Sequence, residues 1–269
     1  MSDIATHKDR IPAKLRFQTG RVIFALLMRE MSTTHGRSPG GYLWAILEPV
    51  AGITLLTVAF GFFLRSPPMG TSFALFYATG LLPFVMYVDL MGKISQTIRF
   101  SRPLLVYPKV TFLDAILARF ILNFITQIMV YYLVIMGIFV IFDVEVALDF
   151  KSIALSLALA SFLGFSLGSV NSLLFSFAPV WERIWSVINR PALLVSCIFY
   201  TYEGLPETLQ NYIWYNPLAH IVGLMRQGFY AEYTAEYVSV PYVLLWCIIP
   251  STLGVYFLRV YHKIILNEL

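Results

Sequence analysis

Long apolar runs separated by short polar joints organise this chain. Runs of spanning length fall at 44–64, 73–92, 114–142, 152–177, 181–202 and 241–260. A bilayer's ~30 Å hydrocarbon core takes roughly 20 apolar residues in helical form, so each run predicts a transmembrane helix. The third is longer than a bilayer needs and must tilt or project. The fold class this predicts is an all-α integral membrane protein with six spans, residues 44–260 forming the membrane domain.

The joints add detail. The polar approach from Arg29 to Gly40, with Arg37 inside it, runs into Gly41-Tyr42-Leu43-Trp44. Basic residues there sit among headgroups, and Tyr42 and Trp44 sit at the interface that amphipathic rings prefer. Upstream, Leu15, Val22, Ile23, Leu26 and Leu27 recur at near-helical spacing between Arg16, Gln18, Thr19 and Arg29. That spacing predicts an amphipathic helix lying in the interface plane, within a basic segment 1–43; residues 261–269 form a short tail. Between the fifth and sixth runs, 209–215 and 218–230 are each too short to span. Pro206 precedes them and Asn216-Pro217 separates them, Pro217 ending any continuous helix. Helices over about 204–230 that dip into the outer leaflet and return are expected, covered there by protein or a water-filled cavity. They suggest a gate or channel lip, an interfacial helix pair being the alternative. In the fourth run, Gly164 and Gly168 make a small-xxx-small step, which suits a close neighbour within the chain as well as a second copy.

Charge gives the joints a side. Placing 1–43, 93–113, 178–190 and 261–269 together collects 14 of the 19 Lys and Arg, and 16 once Arg119 and Arg259 join them. The opposite joints hold Arg65, Lys151 and Arg226 beside Asp143, Glu145, Asp149, Glu203, Glu207, Glu232 and Glu236. The positive-inside rule then predicts both termini in the cytoplasm, in accord with an even number of spans. Composition removes the soluble alternative. Hydrophobic residues are 58% and charged residues 13%, against about 45–50% and about 25% in soluble domains. Residues 1–43 show no cleavable signal peptide, and Cys197 and Cys247 lie in apolar runs that imply no disulfide framework.

Catalytic chemistry is not legible. His7, His35, His220 and His262 are scattered, none with Cys or carboxylate at metal-ligand spacing, so no metal site is expected. Gly92-Lys93 is followed by Ile94, and Tyr87 stands where a phosphate-binding loop needs its first glycine. ATP hydrolysis, if it drives this chain, belongs to another polypeptide. The connection 93–113 carries Lys93, Arg99, Arg102 and Lys109 with no acid before Asp114, and Ile94 and Ile98 one turn apart with Phe100 following. It reads as a short amphipathic helix stopped at Pro103 with an apolar face free to dock a partner, or as an ordinary basic loop. Trp181-Glu182-Arg183 offers a second contact. Of the ionisable residues at membrane depth, Glu48, Asp89 and Arg119 can snorkel. Arg190 has only 191–202 beyond it, roughly 18 Å at 1.5 Å per residue, so it faces protein, water or an anionic ligand.

Gly41-Tyr42-Leu43-Trp44 with Glu48-Pro49, the Trp181-Glu182-Arg183-Ile184-Trp185 turn, and Tyr215-Asn216-Pro217-Leu218 followed by Arg226 resemble the type-2 ABC exporter permeases. Within their polysaccharide branch the chain is most similar to the inner-membrane permeases of group 2 capsule export, the KpsM type, over nearly its whole length. The resemblance implies a non-catalytic, multi-pass subunit of the bacterial inner membrane, working as a homodimer clasped by separate ATP-binding cassette subunits. ATP and Mg would be held by those subunits, so no cofactor is expected in this chain, nor any nucleic-acid partner. It implies a lipid-linked acidic polysaccharide moving through a channel at the dimer axis, toward a periplasmic co-polymerase-type adaptor and an outer-membrane exporter. The ATPase would meet about 15–36 and 94–102 (Ile94, Ile98, Phe100), with Trp181 and Arg183 as the second contact. Arg29, Arg37, Tyr42, Trp44, Arg99 and Arg102 are candidates for the substrate entrance, though the arginines suit anionic phospholipid equally. Arg190 would line the path or pair with a neighbouring carboxylate, and Pro206, Trp214, Tyr215, Asn216, Pro217 and Arg226 would form the outer gate. Two other readings stay open: the same architecture exporting O-antigen, teichoic acid or a small lipophile, and an integral-membrane transferase. The transferase needs an acidic or histidine cluster at one membrane face, and none is visible.

Overall fold

The computed structural model describes the backbone of 18–34, 41–105 and 110–268, and the side chains of 20–31, 43–105 and 110–261. Among the described residues there are eleven helices and no strand. They are α1 (Gln18–Thr34), α2 (Gly41–Phe63), α3 (Phe73–Ser95), α4 (Thr97–Leu105), α5 (Phe112–Phe142), α6 (Phe150–Phe177), α7 (Pro179–Asn189), α8 (Ala192–Val195), α9 (Glu207–Ile213), α10 (Pro217–Phe229) and α11 (Val240–Glu268). Local signals set several starts. Thr111 and Asp114 close a capping box on α5, Asp149 caps α6, and Asn216 caps α10 with Pro217 in its first turn. Each supplies an acceptor to amides that have no partner inside the helix.

By length and composition, Leu43–Phe63, Phe73–Leu105, Phe112–Phe142, Phe150–Phe177 and Val240–Tyr261 are candidate membrane spans. Five of the six expected runs are thus single helices at close to the expected bounds. The fifth, 181–202, is not. It is divided into α7 and α8, and helix ends at Val195. Pro191 has no N–H to continue the ladder, although Arg190 and Pro191 keep right-handed helical angles. Cys197 then adopts φ +57°, a left-handed conformation that no helix continues.

α3 and α6 form the centre, with α11 on the other side of α6 and α10 wedged against both α3 and α6. The step in α6 serves this packing. A Cβ on Gly168 would lie 2.8 Å from Ile94 Cβ, and one on Gly164 would lie 3.0 Å from Leu90 Cβ. Only bare backbone lets the two helices approach this closely. α3 is buried over 78% of its apolar window and α2 over 11%, while α7 and α8 bury no residue.

The divided segment climbs α3 from end to end. Gln96 Nε2 donates to Glu182 Oε1 (2.6 Å), and the Tyr87 hydroxyl donates to Asn189 Oδ1 (3.4 Å). A Cβ on Gly80 would sit 3.1 Å from Ile198 Cα, and Arg226 ties Ile198 and Tyr200 over Phe76. From Gln96 to Phe76 is about 30 Å of helix.

Candidate functional site

The basic end is organised by α4. Ile94 and Ile98 are 0% and 2% exposed and pack with Phe112, Ile116 and Leu258. This corrects the expected free apolar face. A short helix with an apolar position buries it at home when neighbours lie within reach, so Ile98 fixes α4 in place beside Ile94, which belongs to the end of α3. Phe100 is half-buried, with the Arg119 guanidinium 4.2 Å and that of Arg29 5.6 Å from its ring centre. Arg119 Nε donates to Glu30 Oε1 at 2.8 Å in a buried ion pair joining α5 to α1. Arg99 reaches α7 through Glu182 (2.7 Å) and α6 through the Phe175 carbonyl. Trp181 Nε1 donates to Asn171 Oδ1 (3.1 Å), so the Trp-Glu-Arg stretch, which is helical within α7, is keyed to the bundle on its inner side. Arg102, Pro103, Val180, Arg183 and Ile184 are the exposed positions around it. Arg37 lies outside the described residues, as does the side chain of Tyr42.

The acidic end is organised by Arg226, which is 0% exposed. Its Nη1 donates to Tyr200 O (2.8 Å), its Nη2 to Ile198 O (3.0 Å), and its guanidinium lies 4.2 Å from the Phe76 ring centre. Asn216 Nδ2 donates to Val195 O (3.1 Å) and Ser196 Oγ (3.3 Å). These two side chains supply donors to the carbonyls left open where helix ends after α8, as backbone in an apolar surrounding requires. Trp214 Nε1 donates to Tyr237 O, and the Trp214 ring meets His220 edge-on. Tyr215 accepts at its carbonyl from the Tyr242 hydroxyl while its ring is exposed. Pro206 is exposed before α9 and Pro217 opens α10. Of the expected gate residues, Trp214, Asn216 and Arg226 are held by hydrogen bonds within the chain, and Arg226 is an internal clasp.

Two adjoining clefts, which share Phe84, Val88 and Leu193, lie along α3 toward the basic end. One, about 450 Å³, is enclosed by α3 and α7 and is lined by Gln96, Trp185, Asn189 and Arg190. Arg190 is exposed there, and the ion pairs of the described residues do not include it. The other, about 460 Å³, lies among α2, α3 and α5 and is lined by Trp44, Glu48, Asp89, Lys93, Asn123 and Gln127 among others.

Sequence reasoning missed the Glu30–Arg119 pair. A signal existed: Glu30 is the single acid between Arg10 and Leu47, and Arg119 is the single basic residue within its apolar run.

A bundle of apolar helices, five of them long and apolar enough to cross a membrane, is the class of protein that the fold defines, and the profile of the ABC-2 type transporter family matches residues 21–230. The chain belongs to that family. It is similar to the polysialic acid transport protein KpsM of Escherichia coli, at 27% identity over 257 residues covering 95% of this chain and 100% of KpsM. It is also similar to the capsule polysaccharide export inner-membrane protein CtrC of Neisseria meningitidis serogroup B (30% over 244 residues; 90% and 91% covered). A third relative is the capsule polysaccharide export inner-membrane protein BexB of Haemophilus influenzae (25% over 246 residues; 91% and 92% covered). The family resemblance read in the sequence holds.

Proposed function

We propose that this chain is the transmembrane subunit of an ATP-driven exporter that carries a lipid-linked acidic capsular polysaccharide across the inner membrane, through a channel on the axis of a homodimer. The similarity over nearly the whole chain to inner-membrane proteins of capsule polysaccharide export carries this reading. One of those relatives is named for polysialic acid, an acidic polymer. The chain crosses the membrane six times, the divided α7–α8 segment being the fifth crossing, since it follows α3 for about 30 Å. Both termini are cytoplasmic, on the basic side.

Charged side chains favour the channel face. Arg190 and Glu48 are exposed on the side formed by α2, α3 and α7, and Arg190 is level with Tyr87 through Asn189. Charge at that depth calls for water or protein, not hydrocarbon, which a second copy facing a channel supplies. The ATP-binding cassette subunit, holding ATP and Mg, docks on the basic end. There the contact passes to Arg102, Pro103 and Arg183, because Ile94 and Ile98 are inside. α9–α10 is the re-entrant outer gate, facing a periplasmic co-polymerase-type adaptor and an outer-membrane exporter.

Deleting the chain is expected to abolish surface polysaccharide and leave polymer inside the cell, and the tagged protein is expected to bring down a chain with a phosphate-binding loop. Surface polysaccharide at the parental level, or a chain that purifies alone, overturns the reading.

A further inference from the structure

We infer that the cleft among α2, α3 and α5 is a subsite for the neutral, hydroxyl-rich rings of the exported polymer, a proposal that rests on the export reading above and on a polymer that carries such rings beside its acidic groups. Its wall is rich in acceptors without partners. Asn123 and Gln127 are more than nine-tenths buried. Each uses its amide nitrogen within the protein, Asn123 on the Arg119 carbonyl (2.7 Å) and Gln127 on Asp89 Oδ2 (3.0 Å). Their side-chain oxygens accept nothing from the described residues, and both residues line the cleft. The Glu48 carboxylate and Asp89 Oδ1 add further acceptors, and Lys93 is the one cation among the lining residues.

Such a wall selects by what it lacks. An acyl chain placed there would leave each acceptor unpaired in an apolar surrounding, which is costly. A carboxylate or phosphate would face two carboxylates against a single ammonium. A sugar ring brings hydroxyl donors in the number these oxygens can take, and Trp44, 67% exposed at the cleft, offers a ring face to its C–H side. The space of about 460 Å³ lies within the ~300–1,000 Å³ typical of small-molecule sites. The cation suited to acidic sugars, Arg190, belongs to the neighbouring cleft.

The test uses the full chain in nanodiscs of phosphatidylcholine and phosphatidylglycerol, with saturation-transfer NMR on two probes, the neutral disaccharide N,N′-diacetylchitobiose and the acidic dimer of sialic acid. The neutral probe is expected to be saturated more strongly. That signal should fall roughly tenfold in Glu48→Gln with Asp89→Asn, as expected when charge-assisted hydrogen bonds become weaker neutral ones, and should fall also in Trp44→Ala. Should Asp89→Asn fail to fold, Glu48→Gln and Trp44→Ala, both at exposed positions, carry the test. An unchanged signal in these variants, a stronger signal from the acidic dimer, or displacement of the sugar by phosphatidylethanolamine added to the nanodiscs overturns the subsite. Because the chain is alone in the nanodisc, this outcome is independent of the deletion experiment. Loss of surface polysaccharide with no sugar signal leaves the export reading standing and removes only the subsite.

Discussion

Two arginines, one toward each end of the bundle, lie with their guanidinium carbons 4.2 Å from a phenylalanine ring centre, Arg119 on Phe100 and Arg226 on Phe76. Arg119 is answered by a carboxylate, Glu30, from another helix. Among the described residues Arg226 has no ion-pair partner, and it is answered by the carbonyls of Ile198 and Tyr200. The difference reflects what each end has to satisfy. At the basic end helices are intact, so charge is balanced by charge and joins α1 to α5. At the acidic end helical backbone stops inside the bundle, and the guanidinium fork replaces the missing amide donors. One arginine links helices; the other completes one.

The largest effect is expected from Arg226→Leu. It leaves two buried acceptors unpaired, at about 1–3 kcal/mol each, and removes a desolvated cation–π contact of about 2 kcal/mol. Folded, monodisperse protein should be lost from detergent extracts, and Arg226→Lys should not restore it, since an ammonium is not a fork. Normal yield would mean that water or another donor serves those carbonyls. Next comes Glu30→Ala, which strands a buried guanidinium for about 3–5 kcal/mol. Thermal unfolding in detergent should report the loss, and adding Arg119→Leu should recover part of it. Additive losses in the double variant would show that the pair is not coupled. Gly168→Leu is expected to cost about 1–3 kcal/mol by overpacking, with partial relief from Ile94→Ala. An unshifted melting temperature would show that α3 and α6 do not approach as closely as described. The smallest change is Glu182→Gln. Its ion pair with Arg99 is partly exposed, worth about 0.2–1 kcal/mol, and Gln keeps an acceptor for Gln96, so the melting temperature should shift least of the four; a shift as large as that of Glu30→Ala would show that the pair is not a surface one.

Whatever depends on local hydropathy was legible. The runs at 44–64, 73–92, 114–142 and 152–177 reappear as α2, α3, α5 and α6, and 241–260 lies within α11. What depends on direction was not. The spacing of Ile94 and Ile98 reveals a stripe but not whether a neighbour already covers it, and that neighbour includes Leu258, far along the chain. The fifth run reads as uniformly apolar beyond Arg190, so its interruption rests on Pro191 and on Cys197, whose φ of +57° has no sequence pattern behind it. Asn216 and Arg226 stand out in the sequence as part of a motif, but their task lies in Val195, Ile198 and Tyr200, which only the fold sets beside them.

The divided fifth segment also has a mechanical reading. Its lower part is pinned to α4 by Glu182, and its upper end is pinned to the α9–α10 hairpin by Asn216 and Arg226. Between the pins, Pro191 removes a ladder hydrogen bond, so bending stiffness is lowest there. A continuous rod would carry a push on α7 straight to Ile198. A jointed strut turns it into a change of angle at Pro191, and the hairpin end receives rotation instead of thrust.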